Sequence, residues 1–244
     1  MLSRRLFLAL TGGALASPFP SFGADEVPAV LDHILLGCSD LDRGIDFVEQ
    51  HTGVRAAFGG VHPGRGTRNA LLSLGEKHYL EIIAPDLKQQ TPDVAPMFLR
   101  SAGPLLQQLE SLKTPRLVGW AAHPGDLDQF ATRLRNANIS FDGPTPGSRK
   151  RPDGRLLEWK TLNLKDDHGG LFPFFIEWSA GTIHPSADAP SGCKLVQFEI
   201  ATPEPQELAQ TASLLDLNVK IMKESTSQLR ATIAGPDGDL SLIS

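Results

Sequence analysis

Two polar residues set in apolar strands constrain this chain more than any other feature. The runs Val30-Leu31-Asp32-His33-Ile34-Leu35-Leu36-Gly37 and His78-Tyr79-Leu80-Glu81-Ile82-Ile83-Ala84-Pro85 are short, apolar and bounded by turn or helix-start residues, which reads as two buried strands. Alternation along a strand groups His33 with Leu31 and Leu35, and Glu81 with Tyr79 and Ile83. A carboxylate on a buried face is costly unless it is paired, hydrogen-bonded or bound to a metal. Two readings follow. Either His33 and Glu81 begin a metal site, or His33 is a core histidine satisfied by backbone carbonyls and Glu81 pairs with Arg65 or Arg68.

The chain between these strands predicts a compact unit. Ser39-Asp40-Leu41-Asp42 offers a helix start of the capping-box type, Leu41, Ile45 and Val48 recur at helical spacing, and Gly53 closes the helix. Gly59-Gly60 begins a loop that runs past His62-Pro63-Gly64-Arg65-Gly66-Thr67-Arg68-Asn69 to a strand from Ala70 to Leu74, and Gly75-Glu76-Lys77 reads as a hairpin turn. The order is βαβββ.

That order, with histidine on its first strand and glutamate on its last, resembles the module of the vicinal oxygen chelate superfamily, the glyoxalase and extradiol dioxygenase fold. More narrowly, Leu31-Asp32-His33, Asp40-Leu41, the His62 to Asn69 loop and Tyr79-Leu80-Glu81 resemble the glyoxalase-like domain family. The resemblance covers residues 30–185 and implies an α+β fold of repeated βαβββ modules whose curled mixed sheet forms a cup.

A weaker echo follows. Arg116 to Ala122 reads as a strand, Asp126-Leu127-Asp128 repeats Asp40-Leu41-Asp42, and a helix follows with Leu127, Phe130 or Ala131, and Leu134 on one side. Strand-like runs at Leu156 to Leu164 and Leu171 to Trp178 end with Glu177 where Glu81 stands in the first module. The offsets are 126 − 40 = 86 and 177 − 81 = 96, and a loop from Gly143 to Gly154 accounts for the difference of 10. The modules then occupy about 30–85 and 115–180, joined by a helical connector over 86–114 in which Leu105, Leu109 and Leu112 share a side. Residues 192–244 predict a third βαβββ-like module without His on its first strand or Glu on its last, adding a sheet edge or an interface.

The resemblance implies a divalent ion (Mn, Fe, Ni, Co or Zn), or none, with His33, Glu81 and Glu177 as ligands and Glu177 also as general base. Gly119 falls at the fourth ligand position, with His123 in reserve. His62, Thr67, Asn69 and Phe175 are the expected substrate contacts, His62 and Asn69 reading equally as a loop staple. Trp159, Phe174 and Trp178 read as core, and His184-Pro185 as a loop anchor. The implied activity is that of a lyase, isomerase or dioxygenase on a small oxygenated substrate; the alternative is a protein that sequesters a small molecule without catalysis.

The N-terminus predicts export. Ser3-Arg4-Arg5-Leu6-Phe7-Leu8 matches the twin-arginine motif, and the apolar run Leu6 to Ala16 is too short to span a bilayer, so residues 1–24 read as a signal peptide and the mature chain as periplasmic. A formal charge of −5 and a pI near 5.8 argue against nucleic acid or an anionic membrane surface as partner, and leave a small molecule, with a homodimer compatible. The basic cluster Arg149-Lys150-Arg151 reads as a solvated turn, with anion capture as the alternative. Cys38 and Cys193 are the only cysteines; Cys38 reads as a small buried hydrophobe, and whether the two pair is open.

Overall fold

The computed structural model describes residues 27–86, 96–151 and 153–244, with side chains in the connector helix from 103 onward. The expected signal segment and residues 87–95 of the connector lie outside the described residues. The first unit runs β1 (Leu31–Gly37), α1 (Leu41–Thr52), β2 (Ala57–His62), β3 (Thr67–Ser73) and β4 (Tyr79–Pro85). After α2 (Pro96–Ser111), the second runs β5 (Arg116–Ala122), α3 (Leu127–Asn136), β6 (Phe141–Lys150), β7 (Leu156–Leu164) and β8 (Phe174–Trp178). The third runs β9 (Lys194–Thr202), α4 (Pro205–Leu214), β10 (Lys220–Lys223), β11 (Gln228–Gly235) and β12 (Gly238–Ile243).

The first two units form one curled eight-stranded sheet in the order β2-β3-β4-β1-β5-β8-β7-β6. Each unit pairs its first strand in parallel with its last, β1 with β4 and β5 with β8, and the halves meet where β1 runs antiparallel to β5. This is the α+β, cup-shaped mixed sheet the pattern predicts. Helix α1 shows why the local sequence suffices: the Asp40 carboxylate caps it by accepting from Arg43 N at 2.9 Å, Leu41, Ile45 and Val48 are buried, and Gly53 ends it at φ 77°. The cap is Asp40 rather than Ser39.

Two strands escape the sequence pattern. Gly59 and Gly60 lie inside β2, where a bulge between Phe58 and Gly60 interrupts the pairing with β3. The stretch expected as a loop from Gly143 is β6, paired antiparallel with β7 from Phe141 to Lys150. Pro144 and Pro146 lack an amide donor, and they are tolerated because β6 is an edge strand whose second side needs no ladder.

The convex face of the sheet is sealed by α1, α3 and the third unit around one core. Phe130 of α3 meets Phe175 of β8 with ring centroids 4.4 Å apart, and Trp120 of β5 meets Phe198 of β9 at 4.9 Å. The Trp120 indole N–H is satisfied by Leu171 O at 2.9 Å. The third unit forms a second sheet in the order β10-β9-β11-β12, so its first strand is internal to the unit, whereas β1 and β5 each pair with the last strand of their own unit. The third unit thus repeats the element order but not the strand order of the other two, and its apolar face closes the back of the cup. Cys38 and Cys193 are both buried free thiols, and burial pushes Cys38 up to about 12.

Candidate active site

The concave face collects its polar groups in the first half of the sheet. His33 on β1 lies across from Tyr79 on β4, their rings stacked at 4.4 Å, and Glu81 follows two residues on. Asn69 on β3 donates to Glu81 Oε1 at 2.7 Å, and His33 Nε2 and His62 Nε2 stand 3.4 and 3.5 Å from the two Glu81 oxygens. Asn69 also bonds His62 Nε2 at 3.2 Å, which makes that nitrogen the acceptor and directs His62 Nδ1–H to Thr67 Oγ1 at 2.8 Å. His62, Thr67 and Asn69 therefore do converge on Glu81, as a fixed arm around the carboxylate.

The second polar cluster enters through a bulge. Leu31 pairs with Ala122 and His33 with Ala121, so Asp32 has no counterpart on β5 and shares the concave side with His33, while Leu31 joins the core. Strict alternation, which groups His33 with Leu31, fails there. Asp32 Oδ1 accepts from His33 Nδ1 at 2.7 Å, and Oδ2 accepts from Trp178 Nε1 at 3.0 Å and His184 Nε2 at 3.1 Å. His184 takes the amide of Ser186 on Nδ1, which leaves its proton on the nitrogen facing Asp32. Phe174 lies edge-on to His33 at 5.5 Å. Phe174, Trp178 and His184, expected as core and anchor, line the cup, and His184 anchors its turn as well.

The charges in this line stabilise one another. Burial works against ionisation of His33, and the bonds and fields of Asp32 and Glu81 outweigh it, raising the imidazole to about 9. Glu81, equally buried, is lowered to about 2 by His33, His62 and Asn69. Against its burial, His184 and His33 hold Asp32 well below the usual carboxylate range. His62 goes the other way: burial lowers it to about 4, with Arg149 among the cations that oppose its protonation, so the ring is neutral at pH 7. His33 Nε2 nonetheless has no hydrogen bond of good geometry and is a buried, unpartnered polar atom.

Glu177 and Phe175 are not part of this cluster. Phe174, Ile176 and Trp178 alternate onto the concave face, which turns Phe175 and Glu177 to the convex one. There Phe175 packs in the core, and Glu177 Oε2 accepts the Leu127 amide at 2.7 Å in the first turn of α3. The register explains the slip. Ala121 pairs with Phe174 as His33 pairs with Tyr79, so Ala121 and Ile176 occupy the places that His33 and Glu81 hold in the first half. Neither carries a donor, and His123 Nδ1 is engaged with Ile176 O at 3.0 Å. Among the described residues, no group of three or more His, Cys, Asp or Glu is arranged to hold a metal ion. With Ala121 and Ile176 at two of its four positions, the ligand set that the resemblance implies is half apolar and does not fit a resident divalent ion.

Arg149 has no signal in the sequence beyond its basic neighbours. It sits 6% exposed on β6 and donates from Nη1 to Gly59 O on β2, so one side chain bridges the two edges of the eight-stranded sheet. Gly60 beside it adopts φ +143°, a conformation that favours glycine, and its missing Cβ leaves room for Nη1.

Two βαβββ halves in one curled sheet, with a polar cluster on the concave side, define the vicinal oxygen chelate architecture. The chain belongs to the glyoxalase-like domain family, whose model matches residues 31–215. That match runs past 185, through β9 and α4, so the family pattern includes part of the third unit. Among solved structures, a hypothetical protein from Staphylococcus aureus is similar at 17% identity and TM-score 0.57, covering 87% of this chain and 84% of that one. A Streptomyces coelicolor methylmalonyl-CoA epimerase variant in complex with 2-nitronate-propionyl-CoA is similar at 20% identity and TM-score 0.44, covering 64% and 99%. Methylmalonyl-CoA epimerase from Mycobacterium tuberculosis is similar at 22% and 0.40, covering 62% and 87%. No curated protein matches the chain.

Proposed function

We propose that this chain is an acid–base enzyme, an isomerase or lyase, acting on a small carbonyl-bearing molecule at the His33–Glu81 pair. The observation that carries the reading is the line Asp32–His33–Glu81, with His33 Nδ1 pinned at 2.7 Å and Nε2 unpartnered toward Glu81. An imidazole oriented by a carboxylate through one nitrogen presents the other in a defined direction, the arrangement general acid–base catalysis uses. His33 Nε2–H then donates to the substrate carbonyl oxygen, and Glu81 removes a proton from the adjacent carbon. The C–H electron pair moves to the oxygen as an enolate, and return of the proton to the other face or another atom completes an isomerisation. In the resting site the imidazolium keeps Glu81 a weak base; negative charge developing on the substrate oxygen screens that field and raises the carboxylate's proton affinity as the proton moves.

Hydrogen–deuterium exchange tests this. Chelator-treated protein is incubated in D2O with small oxo acids, hydroxy ketones and glyoxal–thiol adducts, and loss of the α-proton signal is followed by NMR. Exchange that falls about 100-fold or more in His33→Gln and Glu81→Gln supports the reading. Exchange that appears only when manganese, iron, nickel, cobalt or zinc is added overturns it in favour of a metal-dependent enzyme. Saturable binding without any exchange favours the sequestering alternative. Export rests on the N-terminal motif alone, and fusing residues 1–24 to a folded reporter tests it: periplasmic delivery lost in an Arg4→Lys, Arg5→Lys pair is the expected result.

A further inference from the structure

Arg149 is the charged group of the cup that acid–base chemistry leaves unused. Several arginines are held in ion pairs: Arg55 with Asp46 and Glu49, Arg151 with Asp188, Arg155 with Asp153, and Arg230 with Glu224. Arg149 is the reverse case, buried yet in no ion pair among the described residues. Its guanidinium has five N–H donors, and among the described residues its one protein hydrogen bond is to Gly59 O. Glu81 and Tyr79 feel its charge without bonding to it, and burial lowers its basicity, although a guanidinium keeps its charge in a protein. A buried cation without a partner is among the least favourable arrangements a fold can keep. The surrounding backbone accommodates it, since a side chain at Gly60 would collide with Nη1.

We propose that Arg149 anchors a carboxylate of the ligand, so that the substrate class is a small oxo acid whose carbonyl lies toward His33 and whose carboxylate lies toward β6. The proposal rests on the acid–base reading for its carbonyl end and on Arg149 alone for its carboxylate end. A planar guanidinium with free adjacent N–H groups matches a carboxylate bidentately, and the low dielectric of the cup strengthens the pair. His33 and Arg149 then hold the carbonyl and the carboxylate of one molecule, with the C–H adjacent to the carbonyl presented to Glu81.

The test separates binding from exchange. Pyruvate, malonate, methyl pyruvate and acetone are titrated by NMR and calorimetry into wild type, Arg149→Lys and Arg149→Met. Expected are saturable binding of at least one of the two carboxylates, about tenfold or more tighter than the neutral probes, weakened about tenfold in Arg149→Lys and abolished in Arg149→Met. Should Arg149→Met fail to fold, Arg149→Lys decides, because it keeps the charge and loses the fork. Neutral probes binding as well as carboxylates, no saturable carboxylate binding, or an affinity unchanged in Arg149→Lys overturns the proposal. Arg149-dependent carboxylate binding without α-proton exchange leaves this inference standing and removes the acid–base reading; exchange of neutral ketones that is indifferent to Arg149 does the opposite.

Discussion

His33, Glu81 and His62 give the protein a pH signature that each residue contributes separately. His33 is raised from 6.5 to about 9, so its contribution to stability is complete below 6.5 and is lost as pH rises through 9. His62 is lowered from 6.5 to about 4, so its contribution is present above 6.5 and is lost as pH falls toward 4. Glu81, lowered from 4.5 to about 2, keeps its contribution above 4.5 and loses it only toward 2. Thermal melts across this range are expected to show a maximum Tm near pH 6.5, with His33→Gln flattening the alkaline limb and His62→Gln the acid limb. Glu177→Gln is the contrasting variant. It weakens a carboxylate–amide bond at the start of α3, so Tm falls by the equivalent of about 1 kcal/mol while α-proton exchange and metal content stay at wild-type levels.

At the scale of elements, the bulges and edges decide what the site contains. Gly60 adopts φ +143° beside Arg149, so Gly60→Ala is expected to cost about 1–3 kcal/mol in chemical denaturation, and less in an Arg149→Met background, where the steric part is relieved. Where elements have strong local signals the sequence is legible: the apolar runs of β1 and β4, the helix starts at Ser39-Asp40-Leu41-Asp42 and Asp126-Leu127-Asp128, and the helical spacing of Leu127, Phe130 and Leu134 all give their elements, though the cap of α1 is one residue later than the sequence suggests. His33 and Glu81 are legible for the same reason, as polar residues in runs that otherwise bury everything. β6 is not, because its Gly and Pro content argues for a loop and only pairing with β7 makes it a strand. Arg149, carried on that strand, is hidden with it. Glu177 misleads because a glutamate one residue out of phase looks identical in the sequence to one in phase, and in the structure the phase decides the face.

Across the whole molecule, the third unit is a structural wall rather than another half-site. Phe198 fills the space against Trp120, and both belong to the core that also holds Ile34, Leu80 and Phe175. Phe198→Ala is expected to destabilise the protein by about 3–5 kcal/mol, and both sheets should unfold in one transition by circular dichroism and tryptophan fluorescence. Two separate transitions would show that the units fold independently.

The unpaired position of Asp32 has a further meaning. The ladder between β1 and β5 closes without it, Leu31 on Ala122 and His33 on Ala121, so Asp32 is a guest the sheet has no need of. Removing the residue altogether, rather than substituting it, should give a straight β1 with Leu31 still inward and His33 still in the cup. That deletion is expected to fold, to free His33 Nδ1, and to move the alkaline midpoint of the melting curve downward. Asp32 is then best understood as a single inserted residue that tells a histidine which way to face and fastens Trp178 and His184 to the same strand.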